Sequence, residues 1–399
     1  MKKIFFFAAA VVAMAACQKG AQPSIDEFST PQEDGTPEVV QFSTNVQASV
    51  KTRAQGGVDA WNKQGLKIYG YERVAGGVNY LTAKPLIDNV TAEAPVKDAT
   101  NNVLTVLDTD QKPFYYEASK TYDFYGYYID DLEATPMTDE ETKTRGMYVD
   151  LTLTGGEDIM VAKADQATDY QTAVANGTFT GKPGEEWKTF YAYSAYAARR
   201  GVHPTLTFKH QLVRFRFQIT SGSDVVDGKP LTVTNITMKA RNEARLYVTG
   251  ATVGLEVPAT AEYKELSLRS LVDGKLETLA PKVVPDKDEV VVDADKFIGE
   301  SLMVIANEDP TGENADKFEL NITTNYDNKD HTLTRDLVFN PENMTNPVAG
   351  QTKFTAGYSY VVNIVVYSPE EIKISAELEE WIPGGTITDD TDDAPQEIL

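Results

Sequence analysis

The chain has 399 residues, a formal net charge of −23 at pH 7 and a single cysteine. That much negative charge repels phosphate backbones and excludes nucleic acid as a natural partner. One thiol excludes a disulfide framework and a cysteine-based metal site, so the fold must be held by core burial, for which the length suffices for two domains.

Lys2 and Lys3 precede an apolar run from Ile4 to Ala16, too short to span a bilayer but suited to a secretory signal over residues 1–16. The run closes on Met14-Ala15-Ala16-Cys17, small residues before a cysteine, as in a lipobox. Cys17 is therefore expected to carry the lipid, palmitate among its acyl chains, that anchors the exported chain. Residues 17–36 lack periodicity and are rich in Pro, Gly and polar residues, which reads as a flexible tether.

Strands follow, as the 20 tyrosines and 16 phenylalanines lead one to expect. Over 39–50 the residues Val40, Phe42, Thr44, Val46, Ala48 and Val50 fall on one face and Gln41, Ser43, Asn45, Gln47 and Ser49 on the other. Period-2 alternation of this length predicts a half-buried strand. It ends in Lys51-Thr52-Arg53-Ala54 and then "QGGVD", a composition typical of an exposed loop. "GLKIYGYERV" with "AGGVNY" suggests a hairpin. "TYDFYGYYI" alternates Tyr122, Phe124 and Tyr128 against Tyr125 and Tyr127, the first face expected in the core and the second under a covering helix or loop. "DIMVAKADQATDYQTAVA" is the one plausible helical stretch, stopped by Gly177. In "PTLTFKHQLVRFRFQIT" the alternation changes phase near His210, which predicts a bulge or strand break. Asp227-Gly228 and Asp273-Gly274 sit between apolar segments as hairpin turns do. "DEVVVDADKF", "ESLMVIANE", "KFELNITTNY" and "YSYVVNIVVY" continue the strand pattern. The expected architecture is all-β: two tandem β-sandwich domains, 37–203 and 204–381, with a short helical insert between them, then an acidic tail or donor segment over 382–399.

The chemistry-bearing residues are sparse. The three histidines, His203, His210 and His331, form no metal-binding spacing, and His210 lies inside an alternating strand, as a structural histidine would. No nucleophile elbow, phosphate loop or dinucleotide fingerprint occurs. The 60 acidic residues make some pair of carboxylates inevitable and single none out. "YDNKD" and "DDTDD" lack EF-hand spacing. No catalytic residue, metal or cofactor is predicted.

The lipobox, the strand ending in "KTRA", Trp61 in "DAWNKQGLKIYGY", "TYDFYGYYI", "DIMVAKA", "LTFKHQLVRFRFQI" and the closing "GYSYVVNIVVY…IKISAELEEWIPGG" together resemble the fimbrillin-like family of Bacteroidales, which supplies subunits of type V pili. The resemblance covers nearly the whole exported chain. It implies immunoglobulin- or transthyretin-like sandwiches, arrival at the outer membrane as a lipoprotein, and cutting by an arginine-specific protease in the loop after the first strand. That places the cut between Arg53 and Ala54. Removal of residues 17–53 would take away the lipid and the strand carrying Val40, Phe42, Val46 and Val50, leaving a groove that another subunit fills by strand addition. The donor is expected at the C-terminus, where Ile372, Ile374, Ala376 and Leu378 alternate and Ile382 and Ile387 follow. The tail after Trp381 is acidic and poor in apolar residues, so the alternative is a tip subunit that accepts a strand, gives none, and touches a host or bacterial receptor. Two other classes compete: an outer-membrane glycan-binding lipoprotein, which requires an exposed aromatic platform, and a β-sandwich hydrolase, which requires two convergent carboxylates.

Cys17→Ser is expected to abolish metabolic labelling by a fatty acid, read on the purified chain; labelling that persists would place the anchor elsewhere.

Overall fold

A computed structural model of the chain describes residues 37–43, 65–74, 77–94, 103–118, 120–130, 135–140, 143–164, 193–198, 203–222, 229–287, 289, 291, 293–307, 317–343 and 351–379. Nearly all of the regular structure among them is strand, so the all-β expectation holds. The first part of the chain supplies β1 (Gln41–Ser43), β2 (Gly65–Glu72), β3 (Ile87–Glu93), β4 (Val103–Thr105), β5 (Tyr122–Ile129), β6 (Tyr148–Thr152) and β7 (Ile159–Lys163). A four-residue helix, α1 (Ala195–Ala198), precedes β8 (Lys209–His210) and β9 (Val213–Ser221).

The central element is an antiparallel sheet of five strands in the order β3-β2-β5-β7-β8. Alternation sends β2 and β5 side chains both ways. Leu66, Ile68, Tyr122 and Phe124 enter one core with Val40, Phe42, Met160, Leu206 and Phe208. Tyr69, Tyr71, Tyr125 and Tyr127 enter another, against Val149, Leu151, Ala244 and Leu246. These last residues belong to a second sheet, in which β6 pairs with β11 (Glu243–Tyr247) and β11 with β12 (Gly254–Glu256). What covers Tyr125 and Tyr127 is therefore a sheet, not the helix or loop expected. The chain before and after residue 203 interleaves here, since β6 and β11 lie on opposite sides of it. Packing on the first face is close: a Cβ on Gly126 would stand 2.7 Å from Cζ of Phe208, so the ring lies directly on the β5 backbone.

The rest of the chain forms two facing sheets. It adds β10 (Thr232–Arg241), β13 (Tyr263–Ser267), β14 (Arg269–Val272), β15 (Lys275–Thr278), β16 (Lys282–Val283), a four-residue helix α2 (Asp293–Lys296), β17 (Phe297–Val304), β18 (Lys317–Tyr326), β19 (Lys329–Val338), β20 (Ser359–Ser368) and β21 (Glu371–Glu379). One sheet runs β17-β9-β20-β21, with β9 and β20 parallel; the other runs β13-β10-β18-β19, with β16 on β10. Phe215, Phe217, Met238, Leu320, Ile322, Tyr360 and Val362 fill the space between them. Phe354 anchors an aromatic knot, 5.1 Å from Phe215 and 4.9 Å from Tyr360 between centroids.

Local departures from the sequence reading have physical causes. The stretch at Ile159 forms β7 rather than helix, because a strand buried on both faces carries apolar residues continuously and loses its alternation; residues 165–177 lie outside the described residues. β2 makes its hairpin-type pairing with β3, not with residues 77–80; residues 75 and 76 lie outside the described residues. Asp293–Lys296 is helical, so "DEVVVDADKF" is not one strand. The phase change at His210 is a strand break: β8 closes the central sheet, and two residues later β9 opens another. Asp273 and Gly274, with φ of 51° and 80°, turn the β14–β15 hairpin as expected. Asp227-Gly228 lies outside the described residues.

Burial of the tyrosines sets an alkaline limit on stability. Burial pushes Tyr122 and Tyr127 up to about 12 from the ordinary value of 10.0, and raises Tyr69, Tyr71 and Tyr125 further in the same direction. A raised folded-state value favours the neutral phenol. The stabilisation is complete below pH 10 and is lost as pH climbs toward 12. Tyrosinate absorbance is expected to appear together with loss of β-sheet circular dichroism across that interval; phenols that ionise in a still-folded protein would contradict the layered burial.

Candidate functional site

The chain around Val40 forms the site. Val39 bridges Tyr115; the Val40 amide donates to the Phe114 carbonyl at 2.8 Å and the Tyr116 amide to the Glu38 carbonyl at 2.9 Å. Above this, β1 pairs antiparallel with β4, from Gln41↔Thr105 to Ser43↔Val103. The turn at Asp108, where the Lys112 amide donates to Asp108 Oδ1 and the Lys112 carbonyl accepts from the Asp108 amide, both at 2.8 Å, lies between the two stretches that receive the first strand.

Alternation then sends Val40 and Phe42 inward, and both are fully buried. The Phe42 ring stands edge-on to Phe124 at 5.3 Å. Phe124 in turn meets Tyr116 at 6.0 Å and Tyr193 at 5.8 Å, so Phe42 completes an aromatic cluster built from four separate parts of the chain. Val46, Val50, Arg53 and Ala54 lie outside the described residues, as does Cys17.

At the other end, Ile372, Ile374, Ala376 and Leu378 lie on β21. Ile372 and Ala376 are buried in the core of the last two sheets, and Ile374 and Leu378 pack half-buried against it. β21 pairs with β20 from Ser359↔Glu379 to Ser368↔Glu371. Nε of Arg335 on β19 donates to the Ile372 carbonyl at 3.2 Å. Ile382 and Ile387 lie outside the described residues.

The histidines are placed without regard to one another. His210 Nδ1 is 3.0 Å from Asp158 Oδ1, and both side chains are shut away from solvent, so no substrate reaches them. His331 sits 3.5 Å from the exposed Glu370. Among the described residues, no group of three or more His, Cys, Asp or Glu side chains is arranged to hold a metal ion, and no helix is long and apolar enough to cross a membrane.

A family model described as fimbrillin-like matches residues 52–381. The chain belongs to the fimbrillin-like family. No curated protein matches it. Among solved structures it is similar to a candidate cell adhesion protein from Bacteroides uniformis, at 15% identity over 88% of this chain and 100% of that one, with a TM-score of 0.41. Two candidate cell adhesion proteins from Parabacteroides distasonis are similar at 11% and 12% identity, over 86% and 87% of this chain and 96% and 100% of theirs, with TM-scores of 0.40 and 0.39.

In this fimbrillin-like chain, alternation in the sequence marks Val40 and Phe42 as inward but not what receives them. Phe114–Tyr116 and Tyr193 carry no periodic signal that ties them to residue 42. The Asp158–His210 pair is likewise invisible in sequence, its members being 52 residues apart.

Phe42→Ala is expected to lower the unfolding free energy by about 3–5 kcal/mol, the usual range for emptying a buried phenylalanine site. Val283→Ala, at a side chain 55% exposed, serves as the reference and should stay within about 0.5 kcal/mol. Equal urea midpoints for the two variants would show that the first strand contributes nothing to the fold.

Proposed function

We propose that this chain is a subunit of a cell-surface pilus: it reaches the outer membrane on the lipid of Cys17, is cut between Arg53 and Ala54, and polymerises when an extended segment of a neighbouring subunit replaces the strand that was removed. One observation carries the reading: Val40 and Phe42, on the N-terminal side of Arg53, are fully buried in the central core.

Those two side chains contribute about 1.5–3 kcal/mol each on burial, so their loss exposes a groove with roughly 3–6 kcal/mol of gross apolar attraction. The same cut strips partners from the Phe114 carbonyl, the Tyr116 amide and β4. An edge with unpaired backbone groups above an apolar groove is the target of strand addition: main-chain bonds supply affinity, and pockets for alternate residues supply register. A head-to-tail contact of this kind does not close on itself and builds filaments. The family match supports the coarser reading of a pilus subunit. The donor is Ile372–Leu378 with Ile382 and Ile387 if β21 is released; if it is not, the subunit accepts a strand at the tip and faces a receptor.

The glycan-binding alternative draws no support from the aromatic run. Tyr122, Phe124, Tyr125 and Tyr127 are all at most 2% exposed. Among the described residues, Tyr115, at 45%, is the one largely exposed aromatic ring.

Incubating the purified precursor with an arginine-specific protease is expected to release a fragment ending at Arg53 and to yield a ladder of polymers on unheated gels. Arg53→Ala should fold with the same melting temperature and give neither. Polymers of normal length from that variant would overturn the proposal.

A further inference from the structure

Lys-Thr-Arg followed by a small residue occurs twice: at Lys51-Thr52-Arg53-Ala54 and at Lys143-Thr144-Arg145-Gly146. An arginine-specific protease that accepts the first meets the same three residues at the second. A cut there would sever β1–β5 from β6.

The surroundings of Arg145 are unusual for a loop arginine. Its guanidinium forks onto the Glu256 carboxylate, Nη1 to Oε1 at 3.3 Å and Nη2 to Oε2, while its Cζ lies 4.1 Å above the centre of the Tyr247 ring. A carboxylate fork and an aromatic face are what a binding pocket for arginine offers, and here the protein's own β11 and β12 supply both. The backbone on either side is strapped as well. The Lys143 carbonyl accepts from the Tyr80 amide at 2.8 Å, the Met147 amide donates to Thr249 Oγ1 at 2.8 Å, and the Met147 carbonyl accepts from the Val248 amide at 2.9 Å. Gly146 has φ of +131°, and a Cβ there would fall 2.0 Å from the Thr249 carbonyl oxygen. The bond after Arg145 therefore lies in a bent backbone pressed against Thr249–Gly250. A protease takes its substrate as an extended strand, so this segment must open before it can be cut.

We infer that Arg145 is a second arginine cleavage site kept shut by the fold: Glu256 and Tyr247 occupy its guanidinium, and the strapped backbone around Gly146 withholds the bond that follows it. The inference rests on reading Arg53 as the processed arginine, and it explains how a protease that accepts Lys-Thr-Arg at the first strand spares the second copy of those residues. Glu256 and Tyr247 act here as positioning residues that decide where processing stops.

The test uses the full precursor, an arginine-specific protease and the masses of the fragments followed over time. Wild type is expected to be cut after Arg53 and to resist after Arg145. Cleavage of an occasionally open segment follows the population of the open form. Removing an exposed ion pair stacked on a ring should raise that population about five- to tenfold, and Glu256→Ala should speed the cut after Arg145 by that factor. Adding Arg145→Lys to Glu256→Ala should abolish the new fragment. Wild type cut as fast after Arg145 as after Arg53, Glu256→Ala cut no faster than wild type, or Glu256→Ala cut indiscriminately at Arg216, Arg245 and Arg335 would each overturn the inference. An uncut Arg53 beside a released Arg145 would instead overturn the processing reading and leave the lock standing.

Discussion

The structure depends on a sheet that must be covered on both faces. β2 and β5 place Leu66, Ile68, Tyr122 and Phe124 on one side and Tyr69, Tyr71, Tyr125 and Tyr127 on the other. A two-layer sandwich leaves one face of each sheet to solvent. Here neither face of the central sheet can be left, because four tyrosines on the second face would be exposed together. The chain meets this by bringing β11 back, from beyond residue 203, to pair with β6 over that face. Phenol groups within the layer find partners of their own: Tyr127 donates to Asn89 Oδ1 at 2.8 Å, Tyr71 to Met147 Sδ at 2.9 Å, and the Tyr80 and Tyr125 hydroxyls stand 3.3 Å apart. The second face is thereby closed by permanent, long-range pairing.

The first face is closed differently. Its cover includes β1, held among the described residues by a three-residue register with β4, a bridge from Val39 to Tyr115 and main-chain bonds at Val40 and Tyr116. The same physical need, hiding apolar surface, is thus met on one side by a sheet woven into the rest of the fold and on the other by a strand at the N-terminal end of the described chain. Phe42 ties that cover to the core through its edge-on contact with Phe124.

Much of this was legible in sequence where one face of a strand meets core and the other meets solvent. Val40 and Phe42 could be read as inward, and Asp273-Gly274 as a turn with two positive φ values, from residue types alone. Legibility failed where burial is two-sided. At Ile159–Lys163 four consecutive buried residues erase the alternation, and the stretch reads as helix. At Tyr125 and Tyr127 the pattern showed a second face but not what covers it, because β6 and β11 are far apart in the chain and pairing partners leave no local mark. The receiving walls of the first strand, Phe114–Tyr116 and Tyr193, were missed for the same reason. Their roles follow from topology, and local propensity carries no topology.

The described parts of β1 and β21 are held in different ways. Among the described residues, β1 contributes three paired residues, with two further main-chain bonds at Val40 and Tyr116. β21 has nine residues paired along β20, buries Ile372 and Ala376 in a continuous core, and has its Ile372 carbonyl capped by Arg335 across the gap to β19. At about 0.5–1.5 kcal/mol per hydrogen bond and 1.5–3 kcal/mol per buried apolar side chain, releasing β21 carries a large cost. A segment held that firmly leaves its own sandwich only if the groove it enters returns at least as much. Where β1 sits, the Phe42 ring rests on Phe124, which in turn meets Tyr116 and Tyr193. Under the proposed exchange, a donated β21 must therefore recover in the groove what its nine paired residues and the buried Ile372 and Ala376 contribute in its own sandwich, whereas accepting a strand leaves that sandwich intact.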